Sequence, residues 1–291
     1  MTCPATDSST VWKLAHRELD LARRPCIMGI LNVTPDSFSD GNRFSEVNDA
    51  VARALEMEAE GADIIDIGGE STRPNATPVL PDEELARLLP VIDKLAGRLS
   101  VPISIDTYKS VVAGESLRAG AEIVNDISAL GFDPRMAAVV AAAEAGVVLM
   151  HTRGRPDEMQ KDTSYGCIVT EVTASLRRSL ESARNAGIAL ERIVIDPGIG
   201  FGKSVKGNLD IIRRLAEFAV LGRPIMVGPS RKAFIGTVLG REVNDRLFGT
   251  AAAVVVALAN GASLFRVHDV KEMRDLLNMA QTLLIPAVTS I

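Results

Sequence analysis

Cysteine is scarce in this sequence: Cys3, Cys26 and Cys167 are widely separated and odd in number, with no CxxC pair. That speaks against a disulfide framework and a thiolate zinc site, and the thiols are read as reduced structural residues. Histidine is equally rare. His16, His151 and His268 share no metal-binding spacing, and Ser230 has no evident histidine partner, so neither a histidine-built metal centre nor a nucleophile–base triad is expected. His16 is read as a surface or packing residue and His151 as structural. Blocks of like charge are missing too. With 32 basic and 37 acidic residues and a net charge of −5, the composition argues against a general nucleic-acid binder. The longest wholly apolar run, residues 251–259, is far too short to span a bilayer. The polar start, Thr2 to Thr10, lacks the basic and apolar regions of a signal peptide, so a cytoplasmic protein with no membrane partner is expected. No Gly/Ser linker or low-complexity tract divides the chain.

What the sequence does have is alternation. Eight short apolar runs, most of them rich in Ile and Val, fall at residues 26–31, 63–67, 103–105, 122–124, 147–150, 193–195, 225–227 and 264–267. Short continuous runs of this kind mark parallel strands buried on both faces. Between them lie helical patterns. Leu85, Leu88, Ile92, Leu95 and Leu99 step by three or four along one face, as do Val169, Val172, Leu176, Leu180 and Ala183. Further helices are expected near residues 46–60, 109–119, 134–143, 208–218, 245–259 and 270–284. Strands alternating with helices imply right-handed βαβ units and a parallel sheet. Eight such units in about 260 residues fit an α/β fold of the (β/α)8 TIM-barrel type, a single domain, better than an open doubly wound sheet. The barrel is expected over residues 26–291, after an N-terminal arm over residues 1–25.

Polar residues gather at one end of these runs. Asn32 to Gly41 follow the first and Gly68 to Pro74 the second; Asp106-Thr107 and Asn125-Asp126 follow the third and fourth. His151 to Gly154, Asp196 to Lys203 and Gly228 to Lys232 follow the next three, and the eighth run leads through Arg266 to His268 and Asp269. The opposite ends carry short turns such as Glu60-Gly61-Ala62 and Arg118-Ala119-Gly120. Loop composition alone would enrich both ends alike. In a barrel the enriched ends converge on one mouth, where substrates bind.

Two kinds of group would meet there. Asp106, Asn125 and Asp196 can offer acceptors to a flat ring with an amidine-like donor edge, although either aspartate alone could instead cap a helix. Arg73, Arg231, Lys232, Arg266 and His268, with backbone amides of glycine-rich turns, suit a phosphate or diphosphate. The run Gly198 to Ser204 is not a Walker A loop, because Pro197 stands where that motif needs glycine, and its glycine spacing also misses the dinucleotide fingerprint. A mouth poor in nucleophiles suits a substrate that brings its own leaving group, with the protein supplying position and charge stabilisation. Asn32, beside carboxylate-bearing loops, could help hold a hard cation such as Mg2+, which shares its ligands with substrate phosphates.

The segments GILNVTPDSFSDG (residues 29–41), GGESTRP (68–74), DPGIGFGK (196–203), GPSRK (228–232) and RVHDV (266–270) together resemble the dihydropteroate synthase family, in its order, from residue 26 to the C-terminal helix. The resemblance implies a (β/α)8 barrel, commonly a homodimer. It implies condensation of 6-hydroxymethyl-7,8-dihydropterin diphosphate with p-aminobenzoate in folate biosynthesis, by a dissociative route in which diphosphate leaves first. By motif position, Asp106, Asn125, Asp196 and Lys232 would line the pterin pocket, with Met150 an apolar wall. Arg266 would pack on the ring and, with His268, Thr72 and an Asn32-bound Mg2+, hold the diphosphate. Arg73 and Asp40 would close over the site and are expected, with Lys232, to be catalytic. Ser230 and the helix start after it would meet the carboxylate of p-aminobenzoate, with Phe201, Phe38 and Pro74 as neighbours, and Gly228 would also be substrate-binding. Asn42 and Asn75 stand where the family often has glycine, which predicts altered loop dynamics. Two other readings remain open. A pterin-binding methyltransferase would share the pterin carboxylates but need no diphosphate cations, and a non-catalytic paralogue would bind pterin without turnover.

Overall fold

The computed structural model describes residues 10–33, 43–73 and 76–284. Ten strands and nine α-helices are found among them. β1 (Val11–Lys13) and β2 (Glu18–Asp20) form a small antiparallel hairpin. The parallel strands follow as β3 (Cys26–Asn32), β4 (Ile64–Gly68), β5 (Ile103–Asp106), β6 (Ile123–Asp126), β7 (Gly146–Met150), β8 (Ile193–Asp196), β9 (Met226–Val227) and β10 (Leu264–Val267). Their order is β8-β7-β6-β5-β4-β3-β10-β9, every neighbour parallel. A parallel bridge from Ile195 to Ile225, with the Ile195 N–H donating to the Pro224 carbonyl at 3.0 Å, joins β8 to the start of β9. The sheet is therefore closed.

The connections are α1 (Arg43–Ala59), α2 (Pro81–Leu95), α3 (Ser110–Arg118), α4 (Met136–Ala142), α5 (Ile168–Asn185), α6 (Val205–Arg213), α7 (Ala233–Leu239), α8 (Leu247–Ala259) and α9 (Val270–Leu284). Local chemistry sets their ends. Pro81 opens α2, followed by Asp82, Glu83 and Glu84 in its positive first turn. Ser204 caps α6 by accepting from the Gly207 N–H at 3.1 Å. One core lies between the strands and the helix ring, where Ile65, Ile67, Val91, Ile92, Val124 and Leu149 are fully buried.

The period of two along each strand divides its residues between that shell and the barrel interior. The lower interior is apolar: Met28, Ile64, Ile123, Val148, Val194, Met226 and Leu264 pack with Trp12, Leu14 and Leu21 of the hairpin segment. Trp12 donates its indole N–H to the Arg192 carbonyl at 2.8 Å, which anchors the hairpin beneath the barrel. One step higher along the same strands stand Asp66, Asn125, Asp196 and Arg266, joined by Asp106 of β5. A plugged floor and a polar upper layer leave one end for chemistry.

Several helices depart from the sequence expectation. The stretch 208–218 is not one helix: α6 stops at Arg213, and a 3-10 turn, Leu215–Leu221, follows. The face ending at Leu99 is helical only to Leu95, because Gly97 takes a left-handed backbone (φ 75°). The helix start expected after Ser230 is the short α7, which was not among the eight helices read from spacing. Among the described residues no helix is long and apolar enough to cross a membrane.

Candidate active site

Asp106 and Asp196 end β5 and β8, Asn125 is the penultimate residue of β6, and their side chains converge on the interior at the C-terminal rim. Arg266 on β10 reaches across. Its Nε donates to Asp66 Oδ2 at 2.6 Å and an Nη to Asp106 Oδ2 at 2.7 Å. Asp66 Oδ2 also accepts from Asn125 Nδ2 at 3.1 Å. These bonds link β10 to β4 and β5, and β6 to β4, so they cross the barrel. Holding Asn125 by its NH2 end leaves its carbonyl oxygen as the group free to accept from a ligand. Asp66 Oδ1 and Asp106 Oδ1 are buried without a hydrogen-bond partner among the described residues. Buried acceptors left open in this way fit a ligand edge rich in N–H groups.

Asp66 does not stand out in the sequence. It sits inside the apolar run DIIDIG, and only the barrel alternation that turns it inward, beside Ile65 and Ile67 turned outward, reveals it. The pair Asn125-Asp126 shows the same rule. Asn125 faces the mouth, while Asp126 serves its own loop, accepting from the Ser128 N–H at 2.7 Å and the Leu130 N–H at 3.0 Å. Asp106 caps no helix: α3 begins after Lys109 with no side-chain cap. Asp196 Oδ1 supports the following turn by accepting the Gly198 N–H at 2.6 Å. Burial raises the Asp106 carboxyl above its ordinary range, with Arg266 pulling the other way. Burial pushes Asp196 up to about 6, opposed by the Gly198 hydrogen bond and by Lys232 and Lys203.

The loop of residues 197–204 is pinned from three sides. Gly198 (φ 74°) passes so close to the His151 carbonyl that a Cβ would lie 1.9 Å from its oxygen, and at Gly200 (φ 86°) one would lie 2.9 Å from Lys232 Cδ. Asn208 accepts the Gly200 N–H at 2.7 Å, and buried Lys203 binds the Phe201 carbonyl (2.8 Å) and His151 Nδ1 (3.0 Å). His151 is thus a neutral packing partner, pushed down to about 3 by burial and the nearby Lys203 charge. Phe201 and Met150 form an apolar wall with Tyr108, Ile127 and Met159. The Lys232 ammonium stands 4.0 Å from the centre of the Phe201 ring, a cation–π contact. Burial, with Arg266 next, lowers Lys232 to about 8.

On the far side of the mouth, Gly228 follows β9 beside Arg266; a Cβ there would meet Arg266 Cβ at 3.6 Å. The sequence suggested no histidine partner for Ser230, and this is corrected: Ser230 Oγ lies 2.9 Å from His268 Nδ1. Strands too far apart in sequence to be compared locally bring the two together. Arg231, grouped above with the phosphate-binding cations, instead pairs through two nitrogens with Asp269. Thr72 and Arg73 lie on the loop after β4; Arg73 is exposed and forms no ion pair among the described residues. Arg153 stacks on Tyr165 and Arg155 on Phe132, their guanidinium carbons 4.6 and 4.5 Å from the ring centres, so both brace the loop after β7. Asn32 ends β3, with Oδ1 3.8 Å from where a Cβ would stand on Gly68. Among the described residues no group of three or more His, Cys, Asp or Glu is arranged to hold a metal. Asp40, Phe38, Pro74, Asn42 and Asn75 lie outside the described residues.

A barrel whose rim joins buried carboxylates to cations defines the class, an enzyme-like barrel with a polar mouth, before any relative is considered, and the comparisons agree with it. The model of a family described as pterin binding enzyme matches residues 28–268. The dihydropteroate synthase of Synechocystis sp. is 46% identical over 265 residues, 91% of this chain and 92% of that protein. Among solved structures, the Xanthomonas albilineans dihydropteroate synthase with 4-aminobenzoic acid superposes with a TM-score of 0.89 at 43% identity, covering 95% of this chain and 98% of that one. The same enzyme in complex with 7,8-dihydropteroate gives 0.85 at 41% identity, covering 94% and 98%. The chain belongs to the dihydropteroate synthase family.

Proposed function

We propose that this chain joins 6-hydroxymethyl-7,8-dihydropterin diphosphate to p-aminobenzoate, giving 7,8-dihydropteroate and diphosphate. The observation that carries the reading is the cross-barrel network of Asp66, Asp106, Asn125 and Arg266, set at one rim with Asp196, Lys232 and the Ser230–His268 pair. The relatives solved with 4-aminobenzoic acid and with 7,8-dihydropteroate support it.

Asp106, Asn125 and Asp196 accept from the donor edge of the pterin, Lys232 donates to an acceptor on the ring, Met150 flanks it, and Arg266 packs on its face. Arg266, His268 and Thr72 hold the diphosphate. The backbone N–H groups at the start of α7 meet the carboxylate of p-aminobenzoate, with Gly228, Ser230 and Phe201 as neighbours. The bond between the pterin methylene carbon and the diphosphate oxygen breaks, its electron pair leaving with diphosphate. The amine nitrogen then bonds to that carbon and loses a proton. Asp106 and Asp196, in their ionised form, favour the positive charge that develops on the ring, and the cations favour the departing anion. Arg73 adds a mobile positive charge from its loop, and Asp40 is assigned to closure by the resemblance. Asn32 fits a shared Mg2+: one neutral amide oxygen beside a side-chain-free Gly68 suits an ion that keeps its waters and takes phosphate oxygens. Mg2+, when bound, offsets charge on the leaving diphosphate.

A second copy of the chain is the proposed partner. α8 is almost wholly apolar and leaves Phe248 86% exposed, and its neighbour α9 exposes Met279 and Leu283 at 60% and 71%. Apolar surface of this kind marks a homodimer face. Sedimentation at micromolar concentration is expected to give a dimer, and a monomer would refute it. For the reaction, the decisive assay supplies both substrates and Mg2+. Diphosphate release that requires p-aminobenzoate is expected; release that ignores it, or none, contradicts the proposal.

A further inference from the structure

Ser230 Oγ accepts the backbone N–H of His268 at 3.2 Å and lies 2.9 Å from Nδ1 of the same residue's ring. A serine hydroxyl has one proton and two lone pairs. One lone pair is occupied by the His268 N–H. Among the described residues the acceptor within reach of the hydroxyl proton is Nδ1. The reverse arrangement, Nδ1–H donating to Oγ, would strand the hydroxyl proton of a side chain that is only 5% exposed. We infer that Ser230 fixes the tautomer of His268: it donates to Nδ1, so the neutral ring carries its proton on Nε2.

The surroundings hold this state. Ser230 is locked in place by its neighbour, because Arg231 takes a left-handed backbone (φ 57°), donates its N–H to Thr250 Oγ1 at 3.1 Å and clamps Asp269. Arg266, Arg231 and Lys232 all oppose a second proton on the ring, Asp269 favours one, and burial outweighs it; together they push His268 down to about 3. Nε2 has no hydrogen-bond partner among the described residues, and His268 is only partly buried. Near neutral pH the ring therefore presents one fixed, uncharged donor to the mouth.

What that donor meets rests on the function proposed above. An Nε2–H aimed at a phosphate oxygen stabilises the leaving diphosphate without giving up a proton. His268 thus acts as a standing hydrogen-bond donor and not as a general acid, and Ser230 is a positioning residue that acts through it as well as a neighbour of the second substrate.

The test uses the full chain labelled with 15N-histidine. Only three histidines are present, so His16→Gln and His268→Gln assign the spectrum. The expected result near neutral pH is a neutral His268 protonated on Nε2. In Ser230→Ala the ring should shift toward Nδ1–H, and the affinity for inorganic diphosphate should fall about tenfold. Ser230→Thr, which keeps the hydroxyl, should restore both. A wild-type ring protonated on Nδ1, a cationic ring, or a spectrum unmoved in Ser230→Ala overturns the inference. If the Nε2–H signal is present but wild-type protein does not bind inorganic diphosphate, the tautomer stands and the diphosphate reading falls.

Discussion

A carboxylate in the middle of an apolar strand is costly to bury unless it is answered, and Asp66 is answered twice, by Arg266 and Asn125. It orients two of the side chains assigned to the ring, Arg266 and Asn125. In Asp66→Asn the shape is kept and the charge is lost. One charge-assisted hydrogen bond contributes about 1.5–3 kcal/mol, so pterin affinity should fall by roughly tenfold to a hundredfold. Calorimetric titration of a pterin checks this, beside a melting curve to show that the fold survives; unchanged affinity would remove Asp66 from the site. The residues at strand ends were legible in the sequence because polar side chains next to apolar runs are conspicuous there. Asp66 was not, since a lone acid inside such a run looks like noise until the barrel assigns it a direction. The Ser230–His268 contact was hidden for another reason: 38 residues and a helix pair separate its members.

Among the elements, the loop after β4 is tied at its base. Glu70 accepts from Tyr108 Oη at 2.5 Å and from the Val79 N–H at 3.0 Å, and pairs with Lys109, which also holds buried Glu84. One carboxylate thereby joins the two ends of the segment that carries Thr72 and Arg73. Glu70→Ala should cost about 3 kcal/mol, as expected when one partner of a buried ion pair is removed. Limited proteolysis, mapped by mass spectrometry, should then show faster cleavage within residues 70–79; cleavage at the wild-type rate would contradict a clamp. Long periodic helices such as α5 and α9 could be read directly from residue spacing. The broken stretch at 208–218 and the seven-residue α7 could not. Arg214 leaves the helical backbone (φ −110°, ψ 22°) without glycine or proline to signal it, and α7 is too short to display a period.

For the whole molecule, eight alternating units made the barrel the expected fold, but closure depends on a single bridge between β8 and the residue before β9, where β9 itself has two residues. No local pattern encodes that. Closure is nevertheless what gathers eight strand ends at one rim above an apolar floor, and so brings the acids proposed to hold a ring beside the cations proposed to hold an anion. The direct test of that arrangement titrates a pterin and inorganic diphosphate separately into the wild type, Asp196→Asn and His268→Gln. The two ligands should bind the wild type side by side; Asp196→Asn should lose pterin affinity at least about tenfold and keep diphosphate, and His268→Gln should do the reverse. If each variant loses both ligands equally, or neither, the two halves of the site are not where this structure puts them.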